Sequence, residues 1–566
     1  MTSLKQYINS IISDSVHNLY REAELTVNVE YCDIKFGHFS TNFALANAKI
    51  LKQKPLDIAN KITTKLAKVD EFKSVNVVEP GFVNITLENT VLQKFIDEVG
   101  KDTSAYIGKP GRGKKMVIDY SHPNIGKPMG VHHLLSTVIG DSIKLLHRQM
   151  GYEVIADNFI GDLGTQFGKL IHAVKTWGNI EEIEKNPVPE LQKLYVKFHI
   201  QADSDEKLDD AGRLEYKKLE EGDPENRELL KKIQDWSKAD MQQIYNALNI
   251  QFDYMHGESF YEDKLRDIIQ LGVEKKIFKE SQGALVYESN NPEEPPALVR
   301  KKDGTSLYLT RDLARIKYWN ETWHPNIMVV VVDLAQSFQI KQLFEVAKAL
   351  SLTEAQNIHV GFGRMSFKDG SMSTRKGNII LISDLITETR KRVQKNIEDN
   401  DSSLTTEEKS ELCNKLTVNC LKYNILRQNR LSNITFDWNT MLSLEGNSAP
   451  YLAYTIARMN SIQQTCTDNS IGQETNQREL EGDEIELALH ISMATQVFNQ
   501  ALGEFEPSNI ADFCYQLAHI YNRFYHKYKI IEDNQINQLR LILNNTSLEI
   551  MKLCFSVLGL SLIEKM

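Results

Sequence analysis

MVIDYSHPNIGKPMGVHHLLSTVIGD, Met116 to Asp141, reads as a buried strand, a polar loop and a helix start in succession. Met116 to Tyr120 is a short β-prone run. Pro123, Gly126, Pro128 and Gly130 keep the following loop out of helix, and Val131, Leu134, Leu135, Val138 and Ile139 then recur at helical spacing. A strand feeding a helix start makes an anion site, because the first N–H groups of a helix lack partners within it and lie at the positive end of its dipole. Lys127, His132, His133 and Ser136 add donors there, a set suited to a polyphosphate. Standing alone, the stretch favours a plain nucleotide fold in which His133 only packs or caps the helix.

Working outward, strand-like and helical segments alternate from 116 to about 395, the pattern of a parallel sheet covered on both faces. MVIDY, EVIAD, LYLT, IMVVVVD and IHVGFGRM are the strand candidates, and the unbroken apolar run of IMVVVVD suits a central strand buried on both sides. The expected fold is α/β: a doubly wound, Rossmann-like core over 106–395, its ligand beyond the carboxyl ends of the strands. A charge-rich helical stretch followed by the β-like ALVYES and PPALVRKKDG marks an insertion at about 175–300. Residues 1–105 read as a separate α/β unit ending in the linker GKPGRGKK, and 396–566 as a helix bundle of long amphipathic segments such as APYLAYTIARMNSIQ.

Composition narrows the class. The chain has 566 residues, 41% hydrophobic and 25% charged, as in a soluble multidomain protein, with no apolar run of membrane-spanning length and no signal-peptide core at the N-terminus. A cytoplasmic location and no membrane contact are expected. The six cysteines are scattered without a C-x-x-C pair, so neither a zinc knuckle nor a disulfide framework is indicated, and no metal ligands are assigned. A net charge of −10 argues against indiscriminate nucleic-acid binding, yet leaves room for one structured RNA held on a local basic and aromatic track.

Four stretches in order carry a resemblance. Asn124-Ile-Gly-Lys-Pro128, with His132, His133 and Leu-Leu-Ser-Thr-Val-Ile-Gly-Asp141, resembles the signature S-x-P-N-x-A-K-P-x-H-x-G-H-L-R-S-T-x-I-G-D of class I aminoacyl-tRNA synthetases of the arginyl kind. Gly130-Val131-His132-His133 stands where that family has His-x-Gly-His, so only the second histidine is in place. NFIGDLGTQFGKLI (158–171), SLYLTRDLARIKYW and SMSTRKGNIILISDL (371–385) resemble three further family segments, the last being a form of the Lys-Met-Ser-Lys-Ser loop that covers ATP phosphates. GHFSTNFALANAKIL and PGFVNITL resemble the family's N-terminal, tRNA-elbow domain. FDWNTMLSLEGNSAPYLAYTIARMNSI and LIEKM resemble its anticodon-binding helices.

The resemblance implies an arginine–tRNA ligase that uses ATP with Mg²⁺ to form arginyl-adenylate and passes the arginyl group to tRNA(Arg), working as a monomer. A guanidinium needs carboxylate acceptors in a defined plane. Asp119 at the end of MVIDY and Asp312 just after LYLT are the candidates, with Asn124, Tyr308 and Gln336 in the family's substrate-binding frame. Lys127, His133, Arg375 and Lys376 are the expected cations and donors for the phosphates. Gly130, His132, His133, Ser136, Gly161, Asp162, Met372, Ser373 and Lys376 are the expected ATP contacts. His132 must point away, stack on the base or displace the nucleotide. Asn42, Tyr451, Tyr454, Arg458 and Met566 are the expected tRNA contacts. The altered residues Gly130, His132, Phe159 and Gln339 leave an alternative: an impaired homologue that binds tRNA or arginine without charging.

Overall fold

A computed structural model describes residues 2–20, 25–289, 291–302, 308–368, 380–399, 404–467, 472–473 and 479–566. Met372, Ser373, Arg375 and Lys376 lie outside the described residues. The chain forms two compact units, one of Pro110–Ser443 with Val557–Ser561, the other of Met1–Lys109, Leu444–Ser556 and Leu562–Met566.

The first unit is built on a parallel sheet of β1 (Lys115–Asp119), β2 (Glu153–Ala156), β3 (Ile327–Asp333) and β4 (Gln356–Phe362), in the order β4-β3-β1-β2. β1 and β3 are neighbours, with Ile118 opposite Val329, and from this pair the chain winds outward in both directions. That makes the crevice beyond their carboxyl ends the topological switch point, where doubly wound sheets bind ligands. The valines of β3 are almost wholly buried, as a strand covered on both faces requires. Helix α1 (Val131–Gln149) follows the loop after β1, and nearly every residue from Leu134 to Leu146 is buried.

Tyr308 to Thr310, the described part of LYLT, is not a strand. It belongs to helix α2 (Tyr308–Trp323), whose buried residues Thr310, Leu313, Ala314, Arg315, Ile316, Trp319 and Trp323 recur at three and four. Four residues are too few to separate the two periods, and the helical one prevails once the window reaches Trp323. Asp312 is therefore a helical residue and not a strand-end one. The insertion has the expected composition: four helices between Ile180 and Ala247, then a three-stranded antiparallel sheet of Phe278–Ser281, Ala284–Tyr287 and Ala297–Arg300. Helix α3 (Thr406–Leu426), beyond the boundary expected at 395, falls in this same unit. Its buried residues from Leu416 to Leu426 run around the helix, which leaves it no solvent face of the kind a peripheral bundle helix shows.

In the second unit, strands Val29–Tyr31, Phe39–Thr41, Phe82–Leu87 and Phe72–Val78 make an antiparallel sheet flanked by Leu4–Leu19, Phe43–Leu51, Pro55–Leu66 and Asn89–Lys101. Ser3 and Gln6 form a capping box that starts the first helix. The helices Ala449–Cys466, Gly482–Ser492, Ala494–Glu504, Ser508–Lys527 and Gln538–Val557 complete it. Among the described residues no helix is long and apolar enough to cross a membrane.

Candidate active site

The chain leaves β1 through Ser121 and His122, both at positive φ (+86° and +52°), which folds it back across the top of the sheet. A buried polar network holds this turn. Ser136 Oγ on α1 accepts from the Ser121 N–H at 2.9 Å and donates to the Val331 carbonyl of β3 at 2.7 Å, while Asn158 Oδ1 accepts from the His122 N–H at 3.3 Å. Two adjoining cavities open above it, one of about 580 Å³ and one of about 420 Å³. They share His122, Asn124, Val332 and Gln336.

Asn124, Gly161, Tyr308, Asp312 and Gln336 line the larger cavity, so four of the five residues expected to hold arginine converge on it. Asp119 does not. It is fully buried behind the wall, with Oδ1 accepting the Phe159 N–H at 3.1 Å and Oδ2 paired with the Arg315 guanidinium. Arg315 also reaches Asp312 Oδ1 at 2.8 Å. Arg315 and Glu258 line the same cavity and were not among the expected residues. Arg315 sits one helical turn after Asp312, a spacing legible in the sequence. Glu258 arrives from the far end of the insertion, and no local pattern could place it.

His132, His133 and Ser136 line the smaller cavity. His133 is not a cation. Its Nδ1 accepts from the Gly130 N–H at 3.2 Å, closing the first turn of α1, and burial pushes the imidazole down to about 3. With Nδ1 used as acceptor, Nε2 carries the hydrogen and can donate to an anion. His132 lays its ring against that of His133, centroids 3.9 Å apart, at the cavity wall. Gly130 lines neither cavity; the strand-like pairing beside it bonds Val131 N–H to the Ile380 carbonyl and Ile382 N–H to the Met129 carbonyl, each at 3.0 Å. The start of α1 is thereby fastened to the residues that follow the Ser371–Lys376 stretch.

Two expected ATP contacts are committed elsewhere. Asp162 accepts from the Ser259 N–H (2.8 Å) and Oγ (2.6 Å) and from Gln234 (3.3 Å), pinning the insertion to the core. Ser136 spends its proton on Val331. The Lys127 ammonium lies 4.7 Å above the ring of Tyr195, on an insertion helix, and lines neither cavity. Gly161 has a steric reason to be glycine, since a Cβ there would overlap Asn124 Oδ1. Gly161→Ala is expected to displace the Asn124 amide at a cost of roughly 1–3 kcal/mol of overpacking. The KM for the ligand of the larger cavity should then rise several-fold with folding intact, and unchanged kinetics would contradict the assignment of Asn124.

Burial and the neighbouring Glu258 carboxylate push the Asp312 carboxyl up to about 7, with Arg311 pulling it back. A proton therefore competes with a cationic ligand for Asp312. Because a bound cation favours the ionised form, affinity should fall as pH drops below about 7 and level off above it, with proton release on binding. Calorimetry in buffers of different ionisation enthalpy checks this; affinity flat from pH 5.5 to 8 would refute it.

The family model for "tRNA synthetases class I (R), catalytic domain" matches residues 99–438, more than half of the chain. The chain belongs to the arginyl class I tRNA synthetases. The "Arginyl tRNA synthetase N terminal domain" matches residues 3–87 and the "DALR anticodon binding domain" residues 452–566. The arginine–tRNA ligase of Fusobacterium nucleatum is 36% identical over 566 residues, covering 99% of both chains, and that of Clostridium perfringens is 34% identical over 559 residues, covering 97% of both. Among solved structures, the arginyl-tRNA synthetase of Plasmodium falciparum matches with a TM-score of 0.79 at 25% identity over the full length of both chains. The Thermus thermophilus arginyl-tRNA synthetase gives the same TM-score at 19% identity, a likeness of fold. Arginyl synthetases thus match this chain from end to end.

Proposed function

We propose that this protein is an arginine–tRNA ligase, which joins L-arginine to ATP as arginyl-adenylate with release of diphosphate and then to the 3′ end of tRNA(Arg) with release of AMP. The observation that carries it is the pair of adjoining cavities: a carboxylate-bearing one for a guanidinium, and beside it one at the start of α1 for a nucleotide, sharing Asn124 and Gln336. The substrate carboxylate attacks the α-phosphorus in line, so the protein's task is to position the two reactants and to meet charge growing on the phosphates. The Nε2–H of neutral His133 and the positive end of the α1 dipole serve the second task, the Gly130, Val131 and His133 N–H groups being already bonded within the protein. Arg375 and Lys376, with Met372 and Ser373, keep the phosphate-covering role that the family resemblance gives them. Mg²⁺ enters as counter-ion of the triphosphate. Among the described residues no group of three His, Cys, Asp or Glu side chains is placed to hold a metal, and no ligand to it is assigned.

The parts are assigned as an elbow-binding N-terminal region (1–105), with Asn42 exposed at the cap of Phe43–Leu51, a catalytic core and an anticodon-binding helical region ending at Met566. A cytoplasmic monomer is the working form. On helix Ala449–Cys466, Tyr451 is tied to Asn522 (3.0 Å), whereas Tyr454 is 45% exposed with the Arg458 guanidinium 4.9 Å from its ring. Arg458 also lies 4.6 Å from the ring of Tyr525. Tyr454 is thus the stacking platform and Tyr451 a support. Tyr454→Ala should weaken tRNA binding by about 1–3 kcal/mol, the worth of a lost base stack, and leave the KM for arginine and ATP unchanged. Equal tRNA affinity would refute the platform.

The test of the function is charging of bulk tRNA with each amino acid in turn. Arginine alone should be attached, with ATP consumed to AMP. The binding-only alternative has no support from the full-length relatives, and it would be revived only if no amino acid were attached.

A further inference from the structure

Arg315 is the largest charged side chain buried in the core of the catalytic unit, 2% exposed. One end of the guanidinium is paired with Asp119 and the other with Asp312 Oδ1 at 2.8 Å. Its faces lie 4.5 Å from the Phe159 ring and 4.8 Å from the Trp319 ring. Trp319 is locked in turn by its Nε1–H donating to Asp157 at 2.9 Å, and the Asp157 carboxylate also faces His256 Nδ1 at 3.1 Å. A guanidinium held this way is a permanent part of the site.

Its presence changes the charge available to a substrate. Two carboxylates that line the cavity, Glu258 and Asp312, and Asp119 buried behind its wall stand against two guanidinia, Arg311 (3.4 Å from Glu258) and Arg315. One negative charge is left over. Asp119 is spent inside the wall and Glu258, which also lines the cavity, is 7% exposed and paired with Arg311, so Asp312, at 22%, is the more open of the two carboxylates that face the cavity.

We propose that Arg315 is a specificity-determining positioning residue, a guanidinium supplied by the protein that neutralises Asp119 and clamps one oxygen of Asp312, leaving a single oriented carboxylate edge to select the guanidinium of the substrate. This rests on the reading of the larger cavity as the arginine site. The planar fork of an arginine can bridge two carboxylates in one plane, which a point-charge ammonium cannot. The protein's guanidinium thereby fixes the plane in which the incoming one must lie.

The test is arginine-dependent charging by the full chain, read as separate KM values for arginine and ATP. Arg315→Lys, which keeps the charge, and Arg315→Ala should each raise the arginine KM by at least ~10-fold while the ATP KM stays unchanged. Methylguanidinium in the assay should refill the space left by Arg315→Ala and bring the arginine KM back toward wild type, with urea as the inactive neutral control. Because Asp119 is held to act through Arg315, Asp119→Asn should raise the arginine KM in the wild-type background and have no further effect in Arg315→Met. Equal effects of Asp119→Asn in both backgrounds, an unchanged arginine KM in Arg315→Lys, or a folded Arg315→Ala that ignores methylguanidinium would each overturn the proposal while wild type still charges arginine. A wild-type chain that charges no arginine would instead overturn the reading of the cavity and the proposal with it.

Discussion

Asp141→Ala is expected to lower the stability of the catalytic unit by about 3–5 kcal/mol, the cost of removing one partner of a buried ion pair. Asp141 lies inside the unit between two buried ammoniums, Lys144 at 2.6 Å and Lys422 at 3.2 Å, whose side chains are 3% and 1% exposed. Each ammonium has one further acceptor, the carbonyl of Gln251 for Lys144 (2.8 Å) and of Gly559 for Lys422 (3.1 Å). Without the carboxylate, two positive charges face each other in a dry interior. Burial already pushes the Lys422 ammonium down while Asp141 pulls it back up. With Asp141 gone only the downward push remains, so the unfolded chain binds more protons than the folded one and the lost stability returns partly as pH rises toward the ordinary lysine range. Hydrogen exchange of the α1 amides in wild type and variant, at two pH values, checks both the size and the sign. A whole-chain melt is a poorer probe, because the protein has two units and need not unfold in one step. Protection in α1 that is unchanged in Asp141→Ala would refute the account.

Asp312→Asn is expected to raise the KM for arginine by roughly 10- to 150-fold, since a charge-assisted hydrogen bond contributes about 1.5–3 kcal/mol. It acts twice, by removing the charge that faces the substrate and by releasing one end of the Arg315 guanidinium held at 2.8 Å. The KM for ATP should stay near wild type, because Asp312 lines the larger cavity and not the smaller. Initial rates of charging with each substrate varied in turn give the answer. Unchanged arginine kinetics would remove Asp312 from the substrate's surroundings.

Where the sequence could be read, local pattern and global role coincide. IMVVVVD has to be a central strand because six apolar residues without a polar break, Ile327 to Val332, suit only a position covered on both faces. The run from Val131 has a single apolar period, so the helix and its start follow. LYLT fails because four residues carry no period of their own. Roles that depend on partners far away in the chain are invisible to pattern. The carboxylates of Asp119 and Asp162 look available until Arg315 and Ser259 are seen to occupy them. His133 reads as a cation or a donor, and burial with the Gly130 N–H on its Nδ1 favours the neutral donor. The boundary expected at 395 follows from periodicity, which turns wholly helical there, whereas membership of a unit depends on what α3 packs against.

Val557–Ser561 belong to the catalytic unit, although the rest of that unit ends at Ser443, more than a hundred residues earlier. These residues bring the Val557 carbonyl to Ser142 (2.8 Å), the Gly559 carbonyl to Lys422 (3.1 Å) and Ser561 to both ends of the Asn419 amide (2.8 Å each). During synthesis, domains generally fold in order as they emerge. Here the unit that emerges in the middle has to wait, with Lys422 short of an acceptor and the Asn419 amide unpaired, until a segment made much later arrives. A nascent chain cut short between Ser443 and Val557 therefore carries a visibly unfinished core, which exposes it to proteolysis, whereas the product that has passed Ser561 closes the gap with its own backbone.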